Sequence, residues 1–185
     1  ESRKNYLNFT DPIFTLEQIA TVRLQDQGIS SIKGLYGKRL AVANNWLFTS
    51  RGIPVIYYGS EINFMTGKPE HKGNRNYLGQ QRIEQAKSHI IHNKLTKIAQ
   101  VRKNSVALQR GLQVNLDFNG DLASFYRVYQ NSGDSQTALV LLNKGDSEAE
   151  FNIRRMLSTG LWTDAIMGKE YNIDSNDLTL NIIVK

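Results

Sequence analysis

Apolar positions along the chain follow two different rhythms. Residues 1–110 carry helical spacings around one short apolar run, whereas residues 112–185 alternate between apolar and polar. In residues 35–49, Leu35, Val42, Trp46 and Phe48 supply much of an apolar stripe, which predicts a helix. Residues 53–58 read Ile-Pro-Val-Ile-Tyr-Tyr, too short and too β-branched for a helix. A continuous run of that length predicts a strand buried on both faces, as in a parallel sheet. Pro54 sits near its start, where a missing N–H is tolerated. Residues 66–81, with Gly67, Pro69, Gly73 and Gly79, read as a polar loop. From 82 to 103, Ile83, Ala86, Ile90, Ile91, Leu95, Ile98 and Val101 recur at helical spacing and predict one long helix. Residues 1–34 are the least legible.

The second half changes period. Gln113–Phe118, Ala123–Tyr129, Ala138–Leu142, Glu150–Ile153, Gly160–Ile166 and Leu178–Val184 read as strands. Asn119-Gly120-Asp121, Ser132-Gly133-Asp134 and Lys144-Gly145-Asp146 are turn signals between them. Short strands at this spacing predict an antiparallel sandwich. The boundary between the two textures falls near Gly111, giving domains 1–110 and 111–185. One strand cannot make a parallel sheet, so its neighbours are expected from chain upstream of residue 1.

Composition narrows the classes. A chain of 185 residues that is 40% hydrophobic can bury a real core, as one large domain or two small ones. It has no cysteine, which excludes disulfides, thiolate metal sites and a cysteine nucleophile. No run of 18 apolar residues is present, so no membrane helix or membrane partner is expected. Residue 1 is Glu rather than Met, and the chain reads as a processed or excised piece. The net charge of +6 is spread over Lys33, Lys38, Arg39, Lys94, Lys97, Arg102 and Lys103 with no aromatic-interleaved run, so no nucleic-acid partner is expected.

The run Arg51-Gly-Ile-Pro-Val-Ile-Tyr-Tyr-Gly-Ser-Glu61 resembles the eighth-strand motif of the α-amylase family of glycoside hydrolases and transglycosidases. That motif is roughly G-x-P-x-x-x-Y-x-G-x-E, and Gly52, Pro54, Tyr58, Gly59 and Glu61 match it in order. The flanking Leu47-Phe-Thr-Ser-Arg51 and Phe64-Met-Thr-Gly67 look most like the cyclodextrin glucanotransferases of that family, and the loop ending Gly73-Asn74-Arg75 is similar to their Asn-Arg loop. Lys94–Lys103 fits the family's eighth barrel helix, and Ala138–Gly145 its C-terminal sandwich domain. The resemblance implies an α+β fragment: the last strand and helix of a (β/α)8 barrel, followed by an antiparallel β-sandwich C-terminal domain. In such barrels the site lies at the C-terminal ends of the strands. Tyr58, Gly59, Glu61 and Arg75 are therefore expected at the rim of a substrate cleft. The family's sandwich usually closes with one more strand than Leu178–Lys185 supplies, implying an open edge.

Catalysis in that family needs a nucleophile and a general acid, two carboxylates about 5 Å apart. The resemblance places them after strands four and five, so no catalytic residue is assigned in this chain. A third carboxylate belongs to a Phe-x-Asp-Asn-His-Asp motif after strand seven. The nearest match, Asn8-Phe9-Thr10-Asp11-Pro12-Ile13, lacks the His-Asp pair. Glu61 is then a supporting rim residue or a solvated carboxylate, not the acid. Arg75 is either a partner for a rim carboxylate or a free loop residue, and His71 either touches sugar or lies on the surface. His89 and His92 have metal spacing but no evident third ligand, so no metal and no cofactor are expected in this chain. Trp46 reads as core. Trp162 reads either as a platform for a sugar ring or as packing between sheets. Tyr57 or Tyr58 lines the cleft, and one of them packs inward. Asn8-Phe9-Thr10 matches a glycosylation acceptor.

The expected function is that of the C-terminal portion of an α-glucan-active enzyme, whose other parts carry the nucleophile and acid. The alternative is a non-catalytic carbohydrate-binding or structural module. Expected partners are an α-glucan oligosaccharide or polysaccharide, the upstream part of the same enzyme, and a second copy of this chain through exposed strand edges. The resemblance leaves calcium open for the parent enzyme and favours a secreted or periplasmic location.

Overall fold

The computed structural model describes residues 35–62, 64 and 77–184. The chain divides into two compact units. One comprises Glu1–Phe48 and Gly52–Ala99, the other Thr49–Arg51 and Gln100–Lys185.

In the first unit, helix α1 spans Leu35–Thr49, as the apolar spacing predicts. Leu40, Ala41, Asn44 and Thr49 are its buried positions among the described side chains, whereas Val42, Trp46 and Phe48 of the expected stripe are only half-buried. The expected strand at 53–58 does not form. Residues 53–57 have no regular structure, and Ile53 and Val55 are 88% and 76% exposed. A strand exists only when neighbours satisfy its N–H and C=O groups, and none of the described residues pairs with this segment.

The expected long helix at 82–103 is also broken. Helix α2 is Gln80–Ala86 and α3 is Ile90–Lys103. Between them Ser88 turns inward on itself: its hydroxyl and its amide both donate to the Gln85 carbonyl, at 3.0 and 3.2 Å. His89 then caps α3, its Nδ1 accepting the Ile91 amide at 3.3 Å. Short polar side chains that compete for backbone groups end helices in this way. Ile83 and Ile90 are left exposed, while Ile91, Leu95 and Ile98 form the buried stripe of α3.

The second unit holds α4, Val106–Arg110, which the sequence reading missed, and seven strands among the described residues. Strands β1 (Leu112–Asn119), β2 (Leu122–Asn131) and β3 (Asp134–Asn143) form one antiparallel sheet in that order. Two-residue loops join them, with Asn119 paired to Leu122 and Asn131 to Asp134, so both turn signals make hairpins. The third signal does not. Asn143, buried at the end of β3, donates its side-chain amide to Ser147 O and Val184 O and accepts from Gly145 N. The chain therefore leaves the first sheet for β4 (Ala149–Ile153), which pairs with β7 (Leu180–Val184). Strands β5 (Gly160–Thr163) and β6 (Glu170–Ile173) form a third antiparallel pair.

Strand β5 stops short of the expected Ile166 because Asp164 Oδ1 accepts the amides of Ile166 and Met167, at 2.7 and 2.9 Å, and folds the chain back. Strand β6 escaped the sequence reading because its four residues give only Tyr171 and Ile173 as an apolar face.

The three sheets share one core of Tyr126, Phe151, Ile153, Leu157, Ile173 and Leu180. Burying each such large side chain stabilises by roughly 1.5–3 kcal/mol. Strand β2 is buried on both faces from Ala123 to Arg127. With a period of two, Tyr126 enters the shared core, while Phe125 and Arg127 point to the other side. There Phe125 stacks on Phe118 with ring centroids 6.4 Å apart. Ser105 caps α4, its Oγ accepting the Leu108 amide at 3.2 Å. Gln136 Oε1 accepts both Ser105 Oγ–H and the Ala107 amide, which ties α4 to β3. A side chain on Gly111 would place a Cβ 2.5 Å from Ala107 O and 2.8 Å from Val128 O, so the chain can turn from α4 into β1 only at a glycine.

Candidate functional site

The residues that carry the motif gather in a tight turn of the first unit. Ile53 to Tyr57 lead into it without regular structure, and Ser60–Ile62 form a single 3-10 turn. Ser60 N donates to Tyr57 O at 3.1 Å, and Ile62 N and Phe64 N both donate to Gly59 O, at 3.2 and 2.8 Å. Gly59 is buried with φ +86°. A Cβ there would lie 2.8 Å from Phe64 Cβ. Both the backbone angle and the space therefore demand glycine at this position.

The turn carries Tyr58 at its start and Glu61 within its 3-10 segment. Tyr58 is 45% exposed, and its ring lies 4.8 Å from that of Tyr57, tilted by 39°. Glu61 is half-buried within the 3-10 turn. Phe64 closes the turn from beneath, and Arg82 of α2 lies over its ring at 5.1 Å. Arg82 Nη1 also donates to Leu78 O at 3.1 Å. Neither Phe64 nor Arg82 was singled out by sequence. Phe64 was visible as part of the family-like Phe-Met-Thr-Gly run, but the arginine comes from a separate helix and had no signal.

Chemically, this turn offers an aromatic face and a carboxylate, groups suited to stacking on and hydrogen bonding a sugar. Other candidates separate from it. Arg75 and His71 lie outside the described residues, as do Asn8, Phe9 and Asp11. His89 is engaged as the cap of α3. His92 Nδ1 is buried without a hydrogen-bond partner. Trp46 is half-buried on α1. Of the two readings of Trp162, the structure supports packing. Its ring tilts against Tyr126 with centroids 6.3 Å apart, and its Nε1–H donates to Ser158 O at 3.0 Å.

No family model matches the chain. Individual relatives do. It is 26% identical over 168 residues to an α-amylase of Niallia circulans, covering 89% of this chain and 29% of the relative. It is 25% identical over 167 residues to a cyclomaltodextrin glucanotransferase of Bacillus licheniformis, covering 88% of this chain and 21% of the relative. The likeness is to α-amylase family enzymes. Among solved structures, an Anoxybacillus α-amylase superposes with a TM-score of 0.69 at 23% identity, covering 90% of this chain and 33% of that one. A three-domain cyclomaltodextrin glucanotransferase superposes with a TM-score of 0.61 at 22% identity, covering 80% and 30%. The α-amylase family likeness thus spans most of this chain, while the chain spans about a third or less of the length of these relatives. It is a mixed α/β piece with antiparallel sheets, similar to part of a glycoside hydrolase or transglycosidase.

Proposed function

We propose that this chain is the C-terminal portion of an α-glucan-active glycoside hydrolase or glucanotransferase. The parent enzyme acts on α-1,4 linkages of starch or maltodextrins by a retaining mechanism, with its nucleophile and acid outside these 185 residues. One observation carries the reading: the ordered Gly52, Pro54, Tyr58, Gly59, Glu61 motif ends in a built turn, within a chain similar to α-amylases and glucanotransferases over most of its length.

On this reading, residues 1–110 belong to the end of the barrel and 111–185 to a sandwich domain. The rest of the barrel would flank residues 53–58 and cover Ile53 and Val55. Tyr58 would line one wall of the cleft, Glu61 would brace the rim, and Arg75 would pair with a rim carboxylate. Calcium in the parent enzyme and an exported location belong to the same proposal.

The test uses the full-length protein and the 185-residue chain side by side on soluble starch, following reducing ends and cyclodextrins together. Turnover is expected for the full-length protein and none for the chain alone. A full-length protein inactive on every α-glucan offered would sink the reading.

The absence of a His-Asp pair after Asp11 favours a second reading, a non-catalytic carbohydrate-binding module. That reading predicts a saturable change in tryptophan fluorescence of the chain with maltoheptaose or β-cyclodextrin at millimolar concentration. A flat titration counts against it.

A further inference from the structure

Thr49 ends α1, and Ser50 and Arg51 follow it before Gly52, yet all three belong to the compact unit of the sheets. Each is gripped there by a different side chain. Arg127 of β2 is fully buried at 0% exposure, and its Nη1 donates to Thr49 O at 2.6 Å. Its Nε and Nη2 both donate to Gly111 O, at 3.3 and 2.8 Å. Arg102 Nη1 donates to Ser50 O at 3.3 Å. The Arg51 amide donates to Gln113 Oε1 at 3.0 Å.

A buried guanidinium is costly unless its donors are satisfied. Burial, then the charges of Arg102 and Arg51, lower the Arg127 pKa. Strand β2 does not need this side chain to stay in its sheet, because its backbone pairs along its full length with β3. What the guanidinium adds is a planar fork whose separate nitrogens reach two distant carbonyls at once. A lysine ammonium, a single point of donation, cannot span both.

We propose that Arg127 is a positioning residue within the sheet unit: by bridging Thr49 O and Gly111 O it locks Thr49 onto the corner between α4 and β1, and so keeps Ser50 and Arg51 within reach of Arg102 and Gln113. The lock stands whether or not the α-glucan reading does.

Amide exchange on the 185-residue chain tests the lock. In Arg127→Lys, the Arg51 amide should exchange about tenfold faster, the factor expected from losing one charged hydrogen bond, while the β2–β3 ladder stays within about twofold of wild type. An unchanged Arg51 amide overturns the proposal. So does equal acceleration of Arg51 and the ladder, which would mean a general loss of stability. If the variant does not fold, wild-type exchange in rising urea decides. A locked Arg51 amide opens only together with the ladder, and one that opens freely while the ladder holds overturns the proposal.

Discussion

Tyr126 places a hydroxyl in the shared core of the sheets, where it donates to Arg155 O at 3.0 Å. Burial pushes its pKa up from 10.0 to about 12. The folded state therefore holds this proton more tightly than the unfolded state. Below pH 10 the phenol is neutral in both states and its contribution is intact. Between pH 10 and about 12 the unfolded chain ionises first and stability is lost, by at most roughly 3 kcal/mol for two pKa units. Tyr126→Phe should cost about 1 kcal/mol at pH 8 through the lost hydrogen bond, then lose less than wild type from pH 10 to 12. Urea midpoints at the two ends of that range measure the difference. At Gly59, alanine must adopt φ +86° and crowd Phe64. A strained non-glycine residue costs on the order of 1–3 kcal/mol. The Phe64 amide, bonded to Gly59 O, should then exchange at least about tenfold faster in Gly59→Ala. Protection equal to wild type would show that the turn does not depend on this glycine.

Elements in this chain end where short polar side chains intervene. Ser88 and His89 split a continuous apolar period into α2 and α3, Asp164 stops β5, and Asn143 diverts the chain away from a hairpin. Helix α4 is only five residues long and depends on its cap. Ser105→Ala removes the acceptor for the Leu108 amide and one of the two donors to Gln136. It should destabilise the sheet unit by about 1–2 kcal/mol, read as a lowered urea midpoint followed through Trp162. A shift under about 0.3 kcal/mol would mean that Gln136 holds α4 alone.

At the scale of the whole molecule, Ile53 and Val55 stand exposed on a segment that pairs with no strand among the described residues. Such a segment invites pairing with another chain. The isolated 185-residue chain should self-associate in sedimentation, and Val55→Lys should shift it toward monomer. A wild-type chain that stays monomeric at high concentration would argue against pairing through this segment. On soluble starch the isolated chain should release no reducing ends above a mock-purified control. Activity would mean that carboxylates within it, with Asp11 and Glu61 the first to replace, perform the chemistry.

The sequence by itself determined the helix at 35–49, the two hairpins at Gly120 and Gly133, and the antiparallel character of residues 112–184, because period and turn chemistry are local properties. It also determined the family likeness, since Gly52, Pro54, Tyr58, Gly59 and Glu61 lie within one short stretch. Only tertiary structure decided the rest. A strand depends on partners, so the apolar run at 53–58 could not reveal that it forms no strand among the described residues. Arg82 reaches Phe64 from helix α2, and Arg127 reaches Thr49 across 78 residues of sequence; neither contact has a local signal. Trp162 could face a sugar or a core by its sequence alone, and the Tyr126 ring and the Ser158 carbonyl decided for the core.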